Sequence, residues 1–130
     1  MQKEAGKDGP ARTPVLSVQN VSYWYGAKQA LDHAASLLDG HRLWVVTPGM
    51  VELGDQQHTR NAEFASQVMA VPNATLVVVG GTNRKPLVEG SQPERRILAG
   101  SRAAAMAKVG AEARSGDVVL FENDLPDHYP

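Results

Sequence analysis

Three short apolar runs set the limits on what this chain can fold into: Leu43-Trp44-Val45-Val46-Thr47, Thr75-Leu76-Val77-Val78-Val79 and Val118-Val119-Leu120-Phe121. Each is rich in β-branched residues and apolar on both faces of an extended chain. A strand of that kind needs cover on both sides, which places it as a parallel strand between helix layers. Pro48-Gly49 and Gly80-Gly81 stop the first two runs, and Gly116-Asp117 turns the chain into the third. Val15-Leu16-Ser17-Val18 and Arg96-Ile97-Leu98-Ala99 are weaker strand candidates.

Between the runs the period changes. Ala27, Ala30, Leu31, Ala34 and Leu38 recur at helical spacing, and Asp39-Gly40 supplies the stop. A second helix is expected from about Gln57 to Val68, burying Phe64, Ala65, Val68 and Met69, with Pro72-Asn73 ending it. One helical turn is expected from Pro86, and a last helix from a Ser101 cap through Ala113, with Ala103, Met106, Ala107 and Gly110 as its inward stripe. The order β-α-β-α-β-(short α)-β-α-β predicts an α/β fold. The expected unit is a single domain over 14–130, a mainly parallel sheet of five or six strands with helices on both faces. Residues 1–13, polar and without apolar period, are expected to be a disordered lead-in.

Length and charge narrow the function. A chain of 130 residues is one domain's worth. Thirteen Lys+Arg against fourteen Asp+Glu argue against a nucleic-acid partner, which calls for a basic excess. No apolar run approaches the ~18 residues of a membrane span, and the first ten residues hold no signal-peptide core, so a cytoplasmic location is expected. Without cysteine there are no disulfides, thiolate metal sites or cysteine nucleophiles. The chain has no G-x-x-x-x-G-K-[ST] phosphate loop, no G-x-G-x-x-G after the first strand, no H-E-x-x-H and no G-x-S-x-G. His33, His41, His58 and His128 are scattered, and no metal site is expected.

In a parallel sheet, ligands meet the loops beyond the carboxyl ends of the strands. Three such loops bring the candidates: Thr47, Gly49 and Glu52 after the first apolar run; Thr82, Asn83 and Arg84 after the second; Asn123 and Asp124 after the third. Glu52 stands between apolar neighbours, where it either points at a ligand or caps the following helix. Arg84 and Lys85 either hold a phosphate or carboxylate or form a solvated turn. The acids Glu122, Asp124 and Asp127 either meet a cation or substrate ammonium group or belong to a solvated tail. As one site, Glu52 and Asp124 would receive an ammonium group and Arg84 a carboxylate, which suits a zwitterionic amino acid or dipeptide.

The stretch "VVTPGMVELGDQQHTRNAEFASQV" resembles the start of the second half of a Mur ligase C-terminal domain. Met50-Val51-Glu52-Leu53-Gly54, with Asn61 following, is closest to the branch that adds D-alanyl-D-alanine. "ATLVVVGGTNRKPLVEG" is similar to that family's next strand and loop, and "SGDVVLFENDLPDHYP" resembles its last strand and C-terminal end. The resemblance spans about 27–130. It implies a Rossmann-like domain of an ATP-dependent amide ligase of peptidoglycan precursor synthesis. Such a domain closes over the nucleotide and presents an amino acid or dipeptide to a UDP-linked peptide precursor. The resemblance also implies ATP and Mg for the full-length ligase, a central ATPase domain as the missing partner, and a role for Asn61 where many members have histidine. With no phosphate loop of its own, the chain is expected to be inactive in isolation, and ATP and Mg are assigned to the full-length ligase and not to this chain alone.

The first loop departs from that family. "VLSVQNVSYWYGAKQAL", about 15–31, is similar to the opening of ABC transporter ATP-binding subunits, where the aromatic before the glycine (here Tyr25) stacks on adenine. That resemblance stops beyond Leu31. Two alternatives stand beside the ligase reading: a non-catalytic binding module with Trp24-Tyr25 as its contact, or a fragment joined to an ABC-type N-terminus.

Overall fold

The computed structural model describes residues 15–18 and 24–123. It places β1 at Val15–Val18, α1 at Trp24–Ala35, β2 at Leu43–Thr47, α2 at Gln57–Met69, β3 at Ala74–Val79, α3 at Arg84–Glu89, β4 at Arg96–Ala99, α4 at Arg102–Glu112 and β5 at Val118–Glu122. Single 3-10 turns, Gly54–Gln56 and Pro93–Arg95, lead into α2 and β4. The expected lead-in 1–13 and the residues after Asn123 lie outside the described residues.

The five described strands form one parallel sheet in the order β1-β5-β2-β3-β4. The register sets Val46 beside both Val77 and Phe121, so β2, the middle strand, is paired on both sides. Alternation along the strands then sorts the core into two layers. Leu43 and Val45, Leu76 and Val78, Val118 and Leu120 pack under α1, α2 and α3 through Leu31, Ala34, Phe64, Val68 and Leu87. Trp44, Val46, Val77, Val119 and Phe121 pack on the opposite face with Ala105 and Val109 of α4. The fold is α/β, with helices on both faces of the sheet.

Local differences from the sequence expectation have physical causes. α1 begins at Trp24, so Trp24-Tyr25 open the helix instead of closing a loop. It ends at Ala35, and Asp39 (φ 45°) and Gly40 (φ 86°) turn the chain toward β2 while Leu38 stays buried. α3 starts two residues before Pro86, which then sits in the first turn, where its missing N–H costs nothing. The stripe on α4 is corrected: Ala105 and Val109 are buried, while Ala103, Ala107 and Gly110 are exposed. Alanines on nearly every face of this helix give the pattern little contrast, and the single valine decides which side turns in. Ser101 is the N-cap, its Oγ accepting from Ala104 N–H at 3.1 Å.

Two polar clamps hold the amino-terminal edge of the sheet. Arg95 donates to the carbonyls of Met69 (3.0 Å), Val71 (2.7 Å) and Ala74 (3.0 and 3.1 Å), tying the exit of α2 to the start of β3. Asp117 accepts from the N–H groups of Arg42 (3.0 Å) and Arg114 (2.9 Å) and from the Trp44 indole (3.1 Å). Burial pushes the Asp117 pKa upward, but these hydrogen bonds and the Arg42 charge outweigh it and hold the carboxyl below its ordinary 3.8. No helix among the described residues is long and apolar enough to cross a membrane.

Candidate functional site

With the amino-terminal edge clamped, the carboxyl ends of β2, β3 and β5 meet at the other edge. There the chain leaving β2 is held almost entirely by side-chain amides. Thr47 is the last residue of β2 and is fully buried. Its hydroxyl accepts the Gly49 N–H (2.8 Å) and donates to Glu122 Oε1 at the end of β5 (2.6 Å). Asn61, one turn into α2, holds both the N–H and the carbonyl of the single residue Met50. Its Oδ1 accepts the Met50 N–H at 2.7 Å, and its Nδ2 donates to the Met50 carbonyl at 2.9 Å. Asn83, just before α3, donates to the carbonyls of Pro48 (3.1 Å) and Met50 (3.2 Å) and accepts from Gln57 (2.9 Å). Asn123 donates to the Gly49 carbonyl at 2.6 Å.

Gly49 is what allows this closeness. Its φ of 88° lies in the left-handed region, and a Cβ there would stand 2.6 Å from Asn83 Cβ and 2.9 Å from Asn61 Oδ1. Met50 behind it is wholly buried, and Leu53 packs on the same core. The loop is therefore pinned at both ends, and its middle is offered to solvent. Glu52 is exposed, with φ 62°, a backbone region costly for a residue with a side chain.

The structure divides the candidate residues into two groups. Thr47, Gly49, Asn61, Asn83 and Asn123 are buried and brought into one network, where their polar atoms position the loop. Glu52 and Thr82 are exposed, and Arg84 is half-buried with its Nε on the Gly80 carbonyl at 3.3 Å. Asp124 lies outside the described residues.

Sequence reasoning set Glu122 among solvated or ligand-facing terminal acids. The structure buries it completely instead, with Oε2 lacking any hydrogen-bond partner. Burial raises its pKa to about 7, against a smaller lowering by the Thr47 hydroxyl. The signal was present: Glu122 continues the alternation of Val118 and Leu120 and so faces the same core. Gln57, whose amide supports Asn83, had no sequence signal beyond its place at the start of a helix.

Among the described residues there is no group of three or more histidines and acids that could hold a metal ion.

No family model matches the chain. Among curated proteins it is similar to the UDP-N-acetylmuramoyl-tripeptide--D-alanyl-D-alanine ligase of Mycobacterium leprae (strain TN). The two are 33% identical over 87 residues, covering 62% of this chain and 17% of the ligase. The chain thus spans less than a fifth of the length of that relative, and the similarity supports a relation to the Mur ligases.

Proposed function

We propose that this chain is the C-terminal domain of a Mur-ligase-like, ATP-dependent amide ligase. Its part is to close over a nucleotide site on a separate central domain and to present the incoming amino acid or dipeptide. The observation that carries this reading is the pinned loop 47–54 at the carboxyl edge of the sheet, in a chain similar to a D-alanyl-D-alanine-adding ligase. Ligases of this class phosphorylate a carboxylate and let an amine attack the acyl phosphate. A closing domain excludes water from that intermediate and fixes the amine near the carbonyl carbon.

Each group in the site has work to do under this reading. Glu52 would accept the ligand's ammonium group and Arg84 its carboxylate, while Asn61, Asn83 and Asn123 keep the loop from drifting. Fixing the loop beforehand lowers the ordering cost of binding. ATP and Mg belong to the complete ligase, since the sequence holds no phosphate loop with its lysine to stabilise charge on a transferred phosphoryl group.

Assays of ATP hydrolysis and ligation test the reading, first on the chain alone and then with it fused behind a Mur-type central ATPase domain. The expected result is no turnover alone and ligation in the fusion, lost on Gly49→Ala. A magnesium-dependent ATPase activity that copurifies with the chain alone contradicts the proposal, as does a folded fusion without ligation.

A further inference from the structure

Among the described residues, Glu122 is the one buried ionisable group at the carboxyl edge that the proposed binding role does not use. We propose that it is a proton-operated latch on the turn from Thr47 to Met50, which leaves the turn in place while the carboxyl is protonated and displaces it when the carboxyl ionises. The latch is a property of this chain's own fold and holds whichever ligand the loop serves.

The geometry is a short relay. Glu122 Oε1 receives the Thr47 hydroxyl, and Thr47 Oγ1 in turn receives the Gly49 N–H. The carbonyl side of Gly49 is held by Asn123, the residue next to Glu122 in the chain. Both ends of the Gly49 residue thus hang from consecutive positions at the end of β5. Gly49 also has no room to shift alone, because Asn61 and Asn83 close on the space where a Cβ would be.

Ionisation upsets this balance. A buried carboxylate needs several donors, whereas Glu122 has one, with Oε2 bare and fully enclosed. Nor do its neighbours supply a charge. Across the sheet it pairs in register with Val18 of β1, and on the other side it meets Thr47 of β2. α1, packed over β5, turns Ala27, Leu31 and Ala34 inward, while Lys28 bonds Asp32 outside and His33 is exposed. α2 sends in Asn61, Phe64, Ala65 and Val68, and keeps His58 and Glu63 on its exposed face, with Arg60 bonded to Glu63. Among the described residues, then, no cation faces the carboxyl. A charged Glu122 is served, among the described residues, by drawing water in or by pulling the Gly49 N–H toward itself. Either movement displaces the turn and with it the contacts to Asn61 and Asn83. The carboxyl's elevated pKa, near neutrality, puts this change within reach of ordinary conditions.

Nuclear magnetic resonance on the full isotopically labelled chain, titrated from about pH 5 to about pH 9, tests the latch. The Glu122 carboxyl carbon and the amides of Gly49 and Met50 are expected to shift together, with one midpoint near 7. In Glu122→Gln the amide titration is lost. In Thr47→Val the carboxyl carbon still titrates but the Gly49 amide no longer follows it, and in Thr47→Ser the coupling is kept. The proposal is overturned if the Gly49 amide titrates unchanged in Glu122→Gln, or if Glu122 titrates while Gly49 and Met50 stay still. It is overturned equally by a Glu122 midpoint in the ordinary carboxylate range. Should a variant fail to fold, the wild-type chain decides: a common midpoint supports the latch and separate midpoints refute it.

Discussion

Thr47 and Glu122 lie 75 positions apart in sequence, and their side-chain oxygens meet at 2.6 Å where β2 and β5 end side by side. The contact joins the last position of the central strand to the last strand of the fold. It also passes on to Gly49, so one hydroxyl holds both the sheet edge and the loop. Thr47→Val keeps the shape but strands two buried polar groups. It is expected to cost about 2–4 kcal/mol of unfolding free energy, read by urea denaturation, whereas Thr47→Ser should cost less than about 1 kcal/mol.

Gly49 and Gly80 form a contrast that separates backbone strain from crowding. Both have positive φ, 88° and 75°, but a Cβ on Gly80 would meet nothing within 4 Å. Gly80→Ala should therefore lose only the strain, about 1 kcal/mol. Gly49→Ala must also push Asn83 and Asn61 aside and should lose about 3 kcal/mol or more. Equal losses at the two positions would show that the loop is not packed as described.

Stability should respond to pH in opposite senses at the two edges of the sheet. Asp117 is held below 3.8 in the folded chain, so its contribution is present above that value and is lost as pH falls through the lower folded pKa. Glu122 is raised from 4.5 to about 7, so its contribution is full below 4.5 and is lost as pH rises through about 7. That shift corresponds to about 3 kcal/mol. Denaturation of wild type and Glu122→Gln at a series of pH values should show the alkaline loss in the first and its absence in the second.

The strands were legible because β-branched runs with sharp breakers leave little freedom, and Arg96–Ala99 was found even though its exposed Leu98 weakens the pattern. Helix faces were legible where large residues marked them, as at Leu31, Phe64 and Val68, and illegible on α4, where alanines made several faces equivalent. Strand direction alone put Thr47, Gly49, Glu52, Thr82, Asn83, Arg84 and Asn123 in loops at the carboxyl ends of β2, β3 and β5, where the structure has them, whereas Asn61 came from the family resemblance. Their division into buried holders and exposed side chains was not readable, because it depends on which loops touch, and only the strand order settles that. Asn61 from within α2 and Asn83 from the loop before α3 approach the same Met50 carbonyl, a coincidence no spacing in the sequence encodes.

Glu52 offers a way to separate stability from binding. A side chain at φ 62° on an exposed loop is kept where glycine would fit without strain. The relief in Glu52→Gly is offset by the greater freedom of the unfolded chain, so stability should stay within about 1 kcal/mol of wild type. Binding of a zwitterionic dipeptide should nevertheless be lost. Retained binding in the folded variant would remove Glu52 from the site.

The central claim is that the ligand face lies at the carboxyl ends of β2, β3 and β5. Titration of the labelled chain with D-alanyl-D-alanine, followed by backbone amide shifts, tests it most directly. The account predicts weak, saturable shifts confined to Gly49–Gly54, Thr82–Arg84 and Asn123. Shifts around Asp39, Asn73 and Ser115, at the opposite edge, would contradict it.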